Sequence, residues 1–138
     1  MNELSSQIEE RGSAFLYRKA SAGITHFKAN KSGNGNVALG EGIYFCGAVE
    51  DCSKLALRGN TIYLAEVDLG RCLTLRGEQY NDLEKMLCRL KSGHASLHKF
   101  RHELGDVDSI HWTGKTDASP DEYVVFDEGR VKNVREYA

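Results

Sequence analysis

The sequence predicts an α+β fold with a largely antiparallel sheet. Amphipathic helical spacing gathers in the first part of the chain, while apolar, β-branched and aromatic runs bounded by glycine gather later. That order favours a sheet with flanking short helices over a βαβ repeat. With 138 residues, the chain reads as one domain, 1–138, with residues 1–12 a polar N-terminal extension.

The elements follow in order. Residues 2–11 are expected to form a short polar helix, and 13–19 a first strand. Ile24 and Phe27 stand at helical spacing within 21–29, which predicts a short helix. Residues 30–42 form a loop rich in glycine and asparagine, and 43–46 a short strand. Val49, Cys52, Leu55 and Ala56 put one apolar face on a helix over 48–58, stopped by Gly59. Strands are expected at 61–69, ending at Gly70, and at 72–75. Leu83, Met86, Leu87 and Leu90 predict a helix over 80–91, followed by a His-rich helical turn to Glu103. The last strands are expected at 107–112, 122–126 and 130–134.

The totals exclude several classes of protein. A net charge of −2 gives no global attraction to nucleic acid or an anionic membrane, and a single proline argues against disorder. The four cysteines show neither a CxxC pair nor metal spacing, so buried reduced thiols are expected. The N-terminus lacks an apolar signal core, and no run is long enough to span a bilayer. The expectation is a cytoplasmic protein without membrane contact, read as a monomer. Delivery into another cell by a dedicated secretion machine would leave no mark in such a sequence.

Two stretches carry the chemistry. Gly40-Glu41-Gly42-Ile43-Tyr44-Phe45 is a two-glycine loop running into an aromatic strand. Glycines there permit close backbone approach to a ligand, and Tyr44 offers a flat ring. The bland alternative is a tight turn with Tyr44 as core packing. Asp121-Glu122-Tyr123-Val124-Val125-Phe126-Asp127 opens an apolar strand with an acid, Glu122, whose bland reading is a solvated edge residue.

Taken in order with Leu16-Tyr17-Arg18-Lys19-Ala20-Ser21, Glu66-Val67-Asp68-Leu69-Gly70 and Arg130-Val131, these stretches resemble the ADP-ribosyltransferase superfamily. The likeness is to the branch of poly(ADP-ribose) polymerases and diphtheria toxin, and it spans residues 15–137. It implies a split pair of antiparallel sheets with NAD as co-substrate in the cleft, and no metal. It implies that Tyr44 stacks on nicotinamide and Glu122 bonds the nicotinamide ribose, with Gly40 and Gly42 shaping the pocket. By the same likeness Arg18, Lys19, Ser21 and Ser53 contact NAD, and Arg18 joins Tyr44 and Glu122 in the catalytic set.

The sequence also departs from that pattern. Arg18 replaces a histidine and is suited to grip pyrophosphate. Lys19 replaces a glycine, and Leu55 stands near a second family aromatic. Pro120 occupies the place where arginine-modifying toxins carry a glutamate. The resemblance then implies transfer of a single ADP-ribose to a protein or nucleic acid acceptor that meets loop 113–121. The alternatives are an NAD glycohydrolase, an inactive NAD- or ADP-ribose-binding module, and an RNA 2′-phosphotransferase. Lys85, Arg89, Lys91, His94, His98, Lys99, Arg101 and His102 make a basic stretch, read as a solvated helix face, then as a phosphate contact. His94, His98 and His102 share a face with metal-like spacing but lack acidic or cysteine partners.

Overall fold

Two long alternating stretches decide the architecture. One has 13 residues and the other 15, too long to pair with only one short strand. In the computed structural model, which describes residues 7–25, 27, 42–54, 59–76, 105–113 and 121–137, they form β1 (Ile8–Ala20) and β3 (Thr61–Leu75). Shorter strands are β2 (Ile43–Cys46), β4 (Ser109–Trp112), β5 (Glu122–Val125) and β6 (Val131–Glu136). Two 3-10 helices, Val49–Lys54 and Glu128–Arg130, complete the described elements.

The strand order is β1-β2-β5-β4-β3-β6, and an antiparallel β1–β3 ladder closes the first five strands into a ring. The result is a closed five-stranded β-barrel. The neighbours in it pair antiparallel, except for the parallel β3–β4 ladder.

This corrects the expected fold class. The described residues are mostly strand and include no helix of seven residues or more, so an α+β fold of split sheets with flanking helices is excluded. The reasons are local. Residues 8–11, expected in a polar helix, pair with Leu73–Gly70 and belong to β1. Ladder hydrogen bonds there override the helix-favouring propensity of Glu9, Glu10 and Arg11. The helix expected over 48–58 is a six-residue 3-10 helix, with residues 55–58 outside the described set. Residues 21–25 contain a turn at 22–23 and no helix. The helices expected over 80–103, and the basic His-rich stretch with them, lie outside the described residues. Among those described, no helix is long and apolar enough to cross a membrane.

The lumen side follows from who touches whom. Arg11 on β1 reaches His111 on β4 and the Tyr123 ring on β5, although the ladder neighbours of β1 are β2 and β3. Such contacts cross the barrel interior. The inward cluster contains Leu16, Ala20, Ile43, Phe45, Ala65, Val67, Leu69, Cys72, Tyr123 and Val125, with Phe27 and Tyr63 beside them. A second buried cluster on the opposite strand faces contains Tyr44, Cys46, Cys52, Leu73, Leu75, Ile110 and Val124.

β3 changes phase in its middle: Tyr63, Ala65, Val67 and Leu69 join the inward cluster, then Cys72, while Leu73 and Leu75 join the outer one. Gly70, at φ +53, makes the change, so the 61–69 and 72–75 segments are one strand through the glycine. One edge of β3 serves β6 over Tyr63–Val67 and β4 over Cys72–Leu75. Between them its backbone has other partners. Leu69 O accepts from the Ser109 hydroxyl (2.6 Å), and Arg71 O accepts from the Asp108 N–H (2.8 Å). The Arg71 N–H donates to the Asp108 carboxylate (2.9 Å) and the Gly70 N–H to that of Asp68 (3.1 Å). Arg130 ties both carboxylates, at 3.0 Å to Asp68 and 3.2 Å to Asp108. Asp127 caps the turn that delivers Arg130 through a bond from the Gly129 N–H (3.0 Å).

β6 pairs only with β3 among the described strands. Its ladder slips between Leu64 and Glu66, and Asn133 sits at φ +53.

A Cβ at Gly70 would collide with the Asp108 carboxylate and the Arg130 guanidinium, and its φ is strained for any L side chain. Gly70→Ala is therefore expected to lower stability by about 1–3 kcal/mol, read as a lower urea midpoint at unchanged m-value.

Candidate functional site

In an antiparallel ladder, residues directly opposite one another share a face. Cys46 faces Glu122 across β2–β5, Trp112 faces Glu122 across β4–β5, and Tyr17 faces Cys46 across β1–β2. Four adjacent strands thus carry the row Tyr17, Cys46, Glu122, Trp112 on the outer face. The next row in is Tyr44, Val124 and Ile110. Three strand spacings separate the Tyr17 and Trp112 backbones, about 14 Å. Between these two half-buried rings lie the small Cys46 and the Glu122 carboxylate, which is 7% exposed.

Glu122 and Tyr44 therefore stand on one face, a row apart, as a shared site requires. Their environments differ. Tyr44 is fully buried and packs with Cys46, Cys52, Val124 and Phe126. The expected stacking on nicotinamide has no free ring face here, so the bland reading of Tyr44 as packing is the one the structure follows. Gly42 also answers to packing. A Cβ on it would fall 2.5 Å from Val124 Cγ2 and 2.9 Å from Val125 O, so its bareness lets β2 approach β5. Gly40 lies outside the described residues.

Arg18 turns the other way. Its ladder partner is the inward Tyr63, and its guanidinium lies over the Phe27 ring at 5.2 Å. Nη1 donates to the Tyr44 carbonyl at 2.8 Å. Burial lowers its pKa to about 10, leaving it charged at neutral pH. It bonds the backbone of the β2 strand on the lumen side and does not share the face of Glu122. Lys19 follows on the Tyr17 face, half-buried. Ser21 is exposed just past β1, and its carbonyl accepts from the Tyr63 hydroxyl (2.7 Å). Ser53 falls in the first 3-10 helix, with its side chain outside the described set.

The sulfur beside Glu122 is the buried, free thiol of Cys46. Its hydrogen bond with the Cys52 thiol, then burial, pushes the Cys46 pKa far up and keeps it protonated. Cys46 Sγ also lies 3.4 Å from the Tyr17 carbonyl. Cys46, Cys52 and Cys72 are all free and buried. Among the described residues no three His, Cys, Asp or Glu side chains gather as a metal site.

Sequence reasoning missed Tyr17 and Trp112 as borders of this row and a polar cluster behind it. In the lumen, His111 Nε2 lies 3.2 Å from Asp121 Oδ2, and His111 Nδ1 lies 3.1 Å from Arg11 Nη1. Arginine only donates, so Nδ1 accepts and the ring proton sits on Nε2, donated to Asp121. The imidazole stacks on the Tyr123 ring at 4.0 Å and 8°. Arg11 lies 3.8 Å from the Cys72 thiol. Burial pushes His111 below its ordinary 6.5, with Arg11 and Arg76 acting in the same direction against Asp121. The only sequence signal was period-two alternation, which puts His111 and Tyr123 on the face opposite Trp112 and Glu122. No protein-family model and no curated protein matches this sequence.

Two outcomes follow from this geometry. Tyr44→Ala empties a packed site and should cost about 3–5 kcal/mol by urea unfolding, whereas a ring that only stacked on a ligand would leave stability unchanged. His111 is depressed on folding, so the unfolded chain binds its proton first. Its contribution is complete above pH 6.5 and declines as pH falls through the lower folded value. Melting temperature should drop over that window in the wild type, and His111→Gln should flatten that part of the curve.

Proposed function

We propose that the chain cleaves the bond between nicotinamide and ribose in NAD and transfers a single ADP-ribose to a protein or nucleic acid. The observation that supports this most is the Glu122 carboxylate, almost fully buried and fixed in register between Cys46 and Trp112. When the bond breaks, nicotinamide leaves as a neutral ring with the bonding electron pair, and positive charge grows on the ribose. A fixed carboxylate in a site drier than water stabilises that charge more than it stabilises the substrate. Its hydrogen bond from a ribose hydroxyl tightens in the same step, as in glycoside hydrolysis. The acceptor then bonds to the sugar carbon and releases its proton.

Other residues take positions different from those the resemblance implied. Trp112 and Tyr17, half-buried at the two ends of the row, supply flat rings in place of Tyr44. Lys19, two residues along β1 from Tyr17, is the cation that this reading assigns to a phosphate. Arg18 holds the backbone that carries Tyr44 and acts through the scaffold.

Glu122→Gln keeps shape and removes charge. Nicotinamide release from NAD should fall about a hundredfold or more with the melting temperature preserved, and an unchanged rate would remove Glu122 from the mechanism. Mass spectrometry for ADP-ribose on cell protein and nucleic acid separates transfer from hydrolysis, in which free ADP-ribose accumulates alone.

A further inference from the structure

We infer that His111 is a positioning residue for Glu122, acting by holding both of its chain neighbours from the lumen side. Asp121 and Tyr123 flank Glu122, and by strand alternation their side chains point away from its face. One imidazole engages both: Nε2 bonds the Asp121 carboxylate at 3.2 Å, and the ring plane lies on the Tyr123 ring at 4.0 Å. The imidazole is itself held from across the barrel by Arg11 at 3.1 Å. Arg11 also approaches Tyr123, its Cζ 5.9 Å from the ring centroid.

The need for such a clamp comes from the position of Glu122. It is the first residue of β5, and a strand end is where a ladder opens first when nothing beyond it holds the chain. A group stabilising a developing charge must stay close to its productive geometry, and a displacement of about 1 Å can cost on the order of a hundredfold. In its row Glu122 has Cys46 and Trp112 as ladder partners. The lumen holds residues 121 and 123 on both sides of it, so rotation of the strand end is blocked.

The clamp is sensitive to protonation. A proton added at His111 Nδ1 opposes the Arg11 guanidinium and releases that anchor. The groups facing His111 are Arg11 from β1, Arg76 past β3, and Asp121 and Tyr123 from β5, with Cys72 of β3 behind Arg11.

The kinetic arm of the test rests on the NAD-cleaving reading; the spectroscopic arm does not. In protein labelled with carbon-13 at glutamate side chains, the Glu122 carboxyl resonance, assigned by its loss in Glu122→Gln, is followed against pH. The wild type should show an inflection at the titration of His111, absent in His111→Gln. An absent inflection, or one that persists in His111→Gln, overturns the inference whether or not NAD is cleaved. In turnover, His111→Ala should lower kcat about tenfold or more at little-changed KM. His111→Gln, which retains a donor toward Asp121, should recover part of that loss and lack the acid limb of the wild-type pH profile. Equal loss in both variants, or loss confined to KM, also overturns it. Wild-type protein that leaves NAD intact but shows the inflection sinks the NAD reading and upholds the clamp.

Discussion

The β1–β3 ladder is the constraint on which the rest of the molecule depends. Antiparallel pairing runs from Ile8 against Leu73 to Ala20 against Thr61, the whole length of β1. Without it the remaining strands are an open sheet with β4 and β1 far apart. With it the sheet closes, the lumen exists, and Arg11 can reach residues on strands it never pairs with. Glu122 owes its place to this closure at second hand, because its row is held in register by antiparallel strands that the ring keeps side by side.

Closure also divides the chemistry between two surfaces. The lumen takes the cationic and hydrogen-bonding groups, Arg11, Arg18, His111 and the Tyr123 phenol, each held by a hydrogen bond or against an aromatic ring. Buried polar groups are tolerated when their hydrogen bonds are made, and such networks add rigidity. The outer face takes the acid, Glu122, with thiol and aromatic neighbours. The acid that we propose acts on a substrate is thus separated by one layer of backbone from the groups that hold the backbone still.

The sequence made some of this legible. Strands at 43–46 and near 107–112 and 122–126 were marked by short apolar, aromatic runs, and they appear as β2, β4 and β5. The pairing of acid and aromatic was visible as composition. What composition could not carry was register, since which residue faces Glu122 depends on strands far away in the chain. Trp112 and Tyr17 were therefore missed, and Tyr44 was assigned a ligand-facing ring that packing instead encloses. Residues 8–11 misled for a related reason: a polar, acidic stretch suits a surface helix until a partner strand as long as β3 is known to exist. Gly70 misled as well, since a glycine that ends many strands here keeps one continuous strand while shifting its side chains by one place.

Asn133 and the ladder slip at Leu64 and Glu66 bear on how copies of this protein meet. β6 is the terminal strand of the order and presents one unpaired edge among the described strands. Its exposed side chains include Lys132, Asn133, Arg135 and Glu136, and its backbone bends at Asn133. A bent, charged edge is a poor template for a foreign strand, because a straight newcomer could match only part of its N–H and C=O groups while burying ionised side chains. Among the described strands β6 closes the order, so resistance to edge-to-edge aggregation at that end rests on this hexapeptide.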